Sequence, residues 1–228
     1  MKIVIAGAGE VGTHLAKMLS QENQDIILMD PNEERLKFTN NMEVLAMVGN
    51  PTSLKDLQES GIKDADLFIS VTPEEPTNIT ACMLAHSLGA HKTLARINNY
   101  EYLQPKNIEF FQKLGISSMI YPEMLAAREI VTAVQRPWAR QYWELFGGAL
   151  ILIGVKVRDN APIVNKRLTD LSLDQKLYHI VAIKRANETI IPRGTDHIAS
   201  GDIVFFTTTR EHVKEVQIQT GKSDPEVK

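Results

Sequence analysis

Residues 2–12 constrain this chain more than any other stretch. Lys2-Ile3-Val4-Ile5-Ala6 is short, apolar and β-branched, and it runs straight into Gly7-Ala8-Gly9-Glu10-Val11-Gly12. Val11, Leu15, Met18 and Leu19 then recur at helical spacing, with no proline before Pro31. A G-x-G-x-x-G pattern between a strand and a helix predicts a dinucleotide-binding turn. Gly7 allows the tight turn, Gly9 lets a pyrophosphate approach the backbone, and Gly12 lets the helix pack close to the strand. The free N–H groups at the start of such a helix, aided by its dipole, face an anion.

A second signal reinforces the first. Asp25-Ile26-Ile27-Leu28-Met29 reads as the next strand and Asp30, 18 residues after Gly12, closes it. A carboxylate there is placed to accept hydrogen bonds from an adenosine ribose and to repel a 2′-phosphate, which favours NAD over NADP. Asp30-Pro31-Asn32 also fits a plain turn and helix cap.

Strands and helices then alternate as far as residue 136. The strands are expected at Lys2–Ala6, Asp25–Met29, Glu43–Val48, Leu67–Val71, Lys92–Ile97 and Ser117–Ile120. Helical patterns fall at Val11–Gln21, Asn32–Asn40, Ser53–Glu59, Pro76–Leu88 and Pro105–Lys113. Such alternation predicts an α/β fold, a Rossmann-like doubly wound parallel sheet of order 3-2-1-4-5-6.

Ligands of such sheets bind beyond the carboxyl ends of the strands, which adds candidates. Asn50 and Thr52 follow the third strand and either bond the adenosine side or cap the next helix. Val71, Thr72 and Pro73 follow the fourth. Arg96 ends the fifth, where it meets a ligand phosphate or carboxylate, or forms an ordinary ion pair. His14 sits in the first turn of the glycine helix, where a solvated role is the ordinary one. Cys82 lies in an apolar helical stretch and reads as a buried, inert thiol.

Pro122–Gln135 is a separate helix, with Pro122 and Glu123 suited to its first turn. Met124, Ala127, Ile130, Val131 and Val134 give it an apolar side, suited to a partner, a following domain or its own sheet. Beyond Pro137 the pattern changes. Strands are expected at Ala149–Val157, His179–Lys184 and Asp202–Thr207, with helices at Leu168–Leu177 and Arg210–Gln217. The organisation expected is therefore an α/β domain at 1–136, a small α+β module at 137–218 and a polar linker or tail at 219–228.

Composition closes off several classes. A net charge of −3 offers no electrostatic footprint for nucleic acid. One cysteine precludes an intramolecular disulfide. The longest apolar run, near Ala149–Val155, is too short to cross a bilayer. The N-terminus is read as a strand without a leader, and a cytoplasmic location is expected. The sequons at Asn78 and Asn187 are then empty matches.

Several stretches together carry a family resemblance. They are Gly7–Gly12, Asp30, Val48-Gly49-Asn50, Asp64-Ala65-Asp66 leading into Val71–Asn78, Ala95-Arg96-Ile97-Asn98, and Tyr121–Arg128. The chain resembles the TrkA family, cytosolic regulatory subunits of Trk-type bacterial potassium uptake. Its first part is similar to the RCK (KTN) nucleotide-binding domain, and residues 140–218 to the RCK C-terminal domain. The resemblance implies NAD(H) as ligand, with ATP or ADP as alternatives in one crevice. The binding residues it implies are Gly7, Ala8, Gly9, Glu10, Val11, Gly12, Asp30, Asn50, Thr52, Val71, Thr72, Pro73 and Arg96. It further implies a membrane potassium-translocating partner, attachment to the inner face of the membrane through that partner, and a homo-oligomer, dimer or tetrameric ring, built through sheet edges and the Pro122–Gln135 helix. Family members commonly carry two such units in tandem, so the single unit here is expected to be half of a longer protein. Glu10 stands where some ATP-selective relatives place arginine, and its carboxylate favours NAD(H) over a triphosphate.

Two other functions compete. An NAD-dependent oxidoreductase needs a proton donor or acceptor facing the nicotinamide, and no His/Asp, Ser/Tyr/Lys or His/Glu constellation is legible. His86, His91, His179 and His197 are isolated, without metal-site spacing. A pure assembly module would have no use for intact glycines and Asp30. The expectation is a regulator, with neither catalytic residues nor a metal.

Overall fold

A computed structural model describes residues 1–37, 39, 42–171 and 177–223. They form two compact units, Met1–Ala126 and Ala127–Lys228.

The first unit holds six strands: β1 (Lys2–Ala6), β2 (Asp25–Asp30), β3 (Leu45–Val48), β4 (Leu67–Ser70), β5 (Lys92–Arg96) and β6 (Ser118–Ile120). All pair in parallel, in the order β3-β2-β1-β4-β5-β6. Its helices are α1 (Glu10–Ser20), α2 (Glu33–Leu36), α3 (Leu54–Glu59), α4 (Glu75–Ser87) and α5 (Pro105–Lys113); α6 (Pro122–Gln135) runs from this unit into the second. This is the doubly wound sheet that the alternating pattern predicts.

Alternate residues of β1 explain why its run is apolar throughout. Ile3 and Ile5 pack with Ala16 of α1 and Leu36 of α2. Val4 and Ala6 pack on the other face with Ala81, Cys82 and Ala85 of α4. A parallel strand covered on both faces has no solvent side to carry polar residues. Burial pushes the Cys82 thiol up to about 12, so it stays protonated and inert.

The second unit is a five-stranded antiparallel sheet: β7 (Gln141–Leu145), β8 (Leu150–Lys156), β9 (Tyr178–Arg185), β10 (Glu188–Ile190) and β11 (Ile203–Thr208), in the order β10-β9-β11-β8-β7. Ile151, Ile153 and Val155 of β8 meet Val204 and Phe206 of β11 and Val216 of α7 (Val213–Gln219) in its core.

Four expectations need correction. β7 and β10 carry no apolar alternation of their own; pairing with β8 and β9 makes them strands. The Asn32–Asn40 helix shrinks to α2, capped by the Asn32 side chain, which accepts from the Glu34 N–H; Phe38 and Asn40 lie outside the described residues. Leu168–Leu171 is turn and not helix, and residues 172–176 of that expected helix lie outside the described residues. The segment from 219 is not all loose: α7 reaches Gln219, Thr220 is fully buried, and its hydroxyl donates to the Val216 carbonyl at 2.8 Å. Residues 224–228 lie outside the described residues. The two compact units meet within α6, between Ala126 and Ala127, and its first turn carries Glu123, the ion-pair partner of Arg96 on β5.

A half-buried ion pair joins β9 to the start of β11, with Asp202 buried and Arg185 partly exposed. Arg185 donates from Nε to Asp202 Oδ1 at 3.0 Å and from Nη2 to Oδ2 at 2.8 Å, and the Ala199 N–H adds a third bond at 2.8 Å. Burial alone would raise the Asp202 pKa, but these donors outweigh it and hold the carboxyl below its ordinary value. A depressed folded pKa contributes stability above the unfolded value of about 3.9, and that stability is lost as pH falls through the folded value. The melting temperature of this unit is therefore expected to fall steadily below about pH 4. Asp202→Asn should lower the melting temperature at pH 7 and flatten the acid limb. An unchanged acid limb in that variant would assign the sensitivity to other carboxylates.

Candidate functional site

The carboxyl ends of β1, β2, β4 and β5 bring most of the sequence candidates together. Gly7 leaves β1 with φ +104°, a conformation that favours glycine, and its N–H donates to the Met29 carbonyl at 2.8 Å. A Cβ on Gly7 would stand 2.9 Å from the Thr72 nitrogen, so the glycine turn lies directly against the end of β4. A Cβ on Gly12 would sit 1.8 Å from the Gly7 carbonyl oxygen. Gly9 differs: an added Cβ there meets nothing within 4 Å. Gly9 is also the N-cap of α1, which has no side-chain cap. The first N–H groups of α1 therefore open onto free space, the geometry that suits a phosphate.

Asp30 is 2% exposed. Its Oδ2 accepts from the Ala8 N–H and its Oδ1 from the Asn32 N–H, both at 2.8 Å. The carboxylate thus braces the glycine turn as well as the turn after β2. Each oxygen keeps a further lone pair, and the half-exposed Arg35 guanidinium approaches Oδ2 to 3.8 Å.

Asn50 and Thr52 hold each other. Asn50 Oδ1 accepts from the Thr52 N–H at 3.0 Å and hydroxyl at 2.8 Å, while Ser53 caps α3. Their turn meets β2 through the Gly49 N–H, 3.2 Å from the Asp30 carbonyl. Glu10 and Val11 lie in the first turn of α1, with the Glu10 side chain 96% exposed. His14 bonds the Glu10 carbonyl through Nδ1 at 2.8 Å, a solvated helix contact. Pro73 is exposed and Val71 buried. Arg96 meets Glu123, so its carboxylate partner in the structure is the protein's own.

In the sequence Asn78 is an empty sequon and the last residue of the Val71–Asn78 resemblance stretch, with no role assigned to it, yet it is the hub of this end of the sheet. It is 1% exposed. Its Oδ1 accepts from Ser70 Oγ at 2.9 Å, the Thr72 N–H at 2.9 Å and Thr72 Oγ1 at 2.8 Å. Its Nδ2 donates to the carbonyls of Thr72 and Arg96, both at 2.9 Å. Glu75 adds a second tie, accepting from the Asn98 and Asn99 N–H groups at 2.7 and 2.8 Å. The signal in the sequence was an asparagine three residues before the apolar Ala81–Ala85 stretch of the same helix, on the side of Ala81, Cys82 and Ala85 that faces the sheet, where a buried amide must be fully bonded.

Among the described residues no cluster of three His, Cys, Asp or Glu side chains is placed to hold a metal. No helix among them is long and apolar enough to cross a membrane.

Comparison with known proteins adds to this geometry. The TrkA-N domain family matches residues 3–122 and the TrkA-C domain family residues 152–218. The chain is 34% identical over 223 residues to the Trk system potassium uptake protein TrkA of Halomonas elongata, covering 95% of this chain and 48% of that protein. It is 32% identical over 214 residues to the TrkA homolog of Archaeoglobus fulgidus, covering 94% of this chain and 48% of that one. The chain spans about half the length of the curated relatives it matches. Among solved structures, a GsuK channel superposes with TM-score 0.66 at 16% identity, over 99% of this chain and 40% of its own. A GsuK channel bound to NAD superposes with TM-score 0.61 at 15% identity, over 99% and 40%. At that identity the likeness is one of fold.

Proposed function

The chain belongs to the TrkA family, a TrkA-N domain followed by a TrkA-C domain, and from that premise we propose that it is a nucleotide-binding regulator of potassium uptake. It takes NAD(H), with ATP or ADP as alternatives in the same crevice, and its ligand-dependent conformation controls a membrane potassium-translocating subunit. It works at the cytoplasmic face, held there by that subunit, as a dimer or tetrameric ring.

The observation that carries this reading is the uncapped start of α1 beside open space at Gly9, with Asp30 at the end of the adjacent strand. The α1 N–H groups take the pyrophosphate. Asp30 takes the ribose with its remaining lone pairs, and Arg35 moves aside. A dinucleotide needs no third phosphate beside Glu10, which supports NAD(H) over ATP. Thr72 and Arg96 share Asn78, and Arg96 reaches Glu123 on α6. A phosphate that competes with Glu123 for Arg96 would change the contacts of the first turn of α6. That gives the ligand a differential effect on two conformations, the requirement for any effector.

Calorimetric titration with NADH, NAD, NADPH, ATP and ADP, combined with scattering, tests the proposal. NADH should bind and change the scattering without being consumed. Steady NADH oxidation with carbonyl substrates would favour the oxidoreductase alternative. Identical scattering with no ligand, NADH and ATP would remove the effector mechanism.

Self-assembly has its own test. Ile130, Val131 and Val134 of α6 are 64%, 51% and 71% exposed. Ile130→Glu with Val134→Glu should leave the melting temperature unchanged while weakening self-association about 100-fold or more, since a buried unpaired charge is costly. Sedimentation at matched concentrations reads the outcome. Equal association of variant and parent would take α6 out of the interface.

A further inference from the structure

We propose that the antiparallel unit carries an anion-binding site for a phosphate-bearing ligand, in the cleft where the end of β8, the Ala199–Asp202 turn and the segment after α7 meet. The cleft has a volume of about 520 Å³, and Lys156, Arg158, Lys222, Asp159, Asn160 and Ser200 line it. The proposal stands apart from the nucleotide crevice, because every one of these residues belongs to the other compact unit.

Backbone bonding builds the cleft from distant segments. The Val157 N–H donates to the Asp202 carbonyl at 2.8 Å, and the Gly201 N–H returns to the Val157 carbonyl at 3.1 Å. The Lys222 N–H closes onto the Gln217 carbonyl at 3.0 Å. Gly221, at φ +74°, makes the approach possible: a Cβ there would stand 2.9 Å from Asn160 Oδ1 and 3.1 Å from Ala161 Cα. Lys222 is thereby held beside Arg158, a residue 64 positions earlier in the chain.

The charges of the cleft are unbalanced. Among the described residues no carboxylate forms an ion pair with Lys156, Arg158 or Lys222. Asp159 is the one acid in the lining, and it already accepts from the Ser200 hydroxyl. Burial and then Arg158, Arg140 and Lys156 push the Lys222 ammonium below its ordinary pKa. Like charges gathered this way contribute nothing to folding, and an oxyanion between them relieves the repulsion. Arg158 supplies a forked donor, the lysines supply point charges, and Asn160 supplies a neutral amide. A phosphate ester or diphosphate fits this chemistry, whether free in solution or on a lipid headgroup.

The experiment is a residue-resolved NMR titration of the full chain with inorganic pyrophosphate. Saturable shifts are expected at Arg158, Ser200 and Lys222, separately from any at Ala8 and Glu10, with a rise in the Lys222 ammonium pKa. Arg158→Gln with Lys222→Gln should weaken this binding at least tenfold and leave NADH affinity unchanged. Lys156→Gln with Lys222→Gln serves as a second pair should the first not fold. A parallel arm uses vesicles of phosphatidylglycerol against phosphatidylcholine. Pyrophosphate binding without co-sedimentation assigns a soluble ligand, and binding with phosphatidylglycerol-specific co-sedimentation that the double variant loses assigns a headgroup. No saturable shift at these residues, or equal affinity in both double variants, would overturn the proposal.

Discussion

Gly12→Ala is expected to destabilise the parallel-sheet unit severely, while Gly9→Ala leaves it intact and weakens nucleotide binding. The contrast follows from where each new methyl would go. On Gly12 it would lie 1.8 Å from the Gly7 carbonyl oxygen and 3.3 Å from Val71 Cγ2. The first contact is with backbone, which has no rotamer to change, so α1 must move off β1. Replacing a helical glycine by alanine gains at most about 1 kcal/mol of propensity. Overpacking against backbone costs about 3 kcal/mol or more. The net loss should lower the melting temperature by roughly 5–10 °C. On Gly9, at φ −79°, the methyl meets nothing within 4 Å. Its melting temperature should match the parent, and its NADH affinity should fall roughly tenfold or more, about 1.4 kcal/mol. Calorimetry and thermal unfolding on both variants decide the matter. A Gly9→Ala protein that binds NADH like the parent would show that the open space is not the pyrophosphate cradle.

Asp30→Ala should lose both stability and ligand affinity. Read as a strand-end carboxylate, Asp30 predicts only a binding defect, of about 1.5–3 kcal/mol for bonds to a charged acceptor. Its place in the fold adds a second effect. The carboxylate is 2% exposed and accepts from the Ala8 and Asn32 N–H groups. Alanine leaves the buried Ala8 N–H without its acceptor, at a cost of about 1–3 kcal/mol beyond any loss of ligand. Asp30→Asn separates the effects. Its amide oxygen can keep one of the two backbone bonds, so part of the stability returns. A ribose would then meet a weaker, neutral acceptor, and affinity should remain low. Parent-like NADH affinity in a folded Asp30→Asn protein would remove Asp30 from the ligand and leave it a purely structural brace.

These variants separate what was legible early from what was not. The glycines, Asp30 and the strand order follow from local pattern. A buried parallel strand must be apolar, its turn must be glycine, and the next strand must end in the same crevice. The course of β1, α5 and α6 was equally readable, since proline starts and apolar periods are local signals. β7 and β10 were not, because each is a strand only by virtue of the neighbour it pairs with. Nor was the bracing role of Asp30, since a carboxylate at a strand end looks alike whether it faces solvent, a ribose or the backbone of the preceding turn.

The amino-acid order alone determined the class of fold and the crevice, since both rest on residues close together in the chain. Tertiary structure alone decided which polar groups hold one another. Asn78 bridges Thr72 and Arg96, Arg96 meets Glu123, and Lys222 comes to lie beside Arg158. The physical reason is that hydrogen bonds and charges act over a few ångströms of space, and spacing along the chain sets those distances only within a single helix or turn.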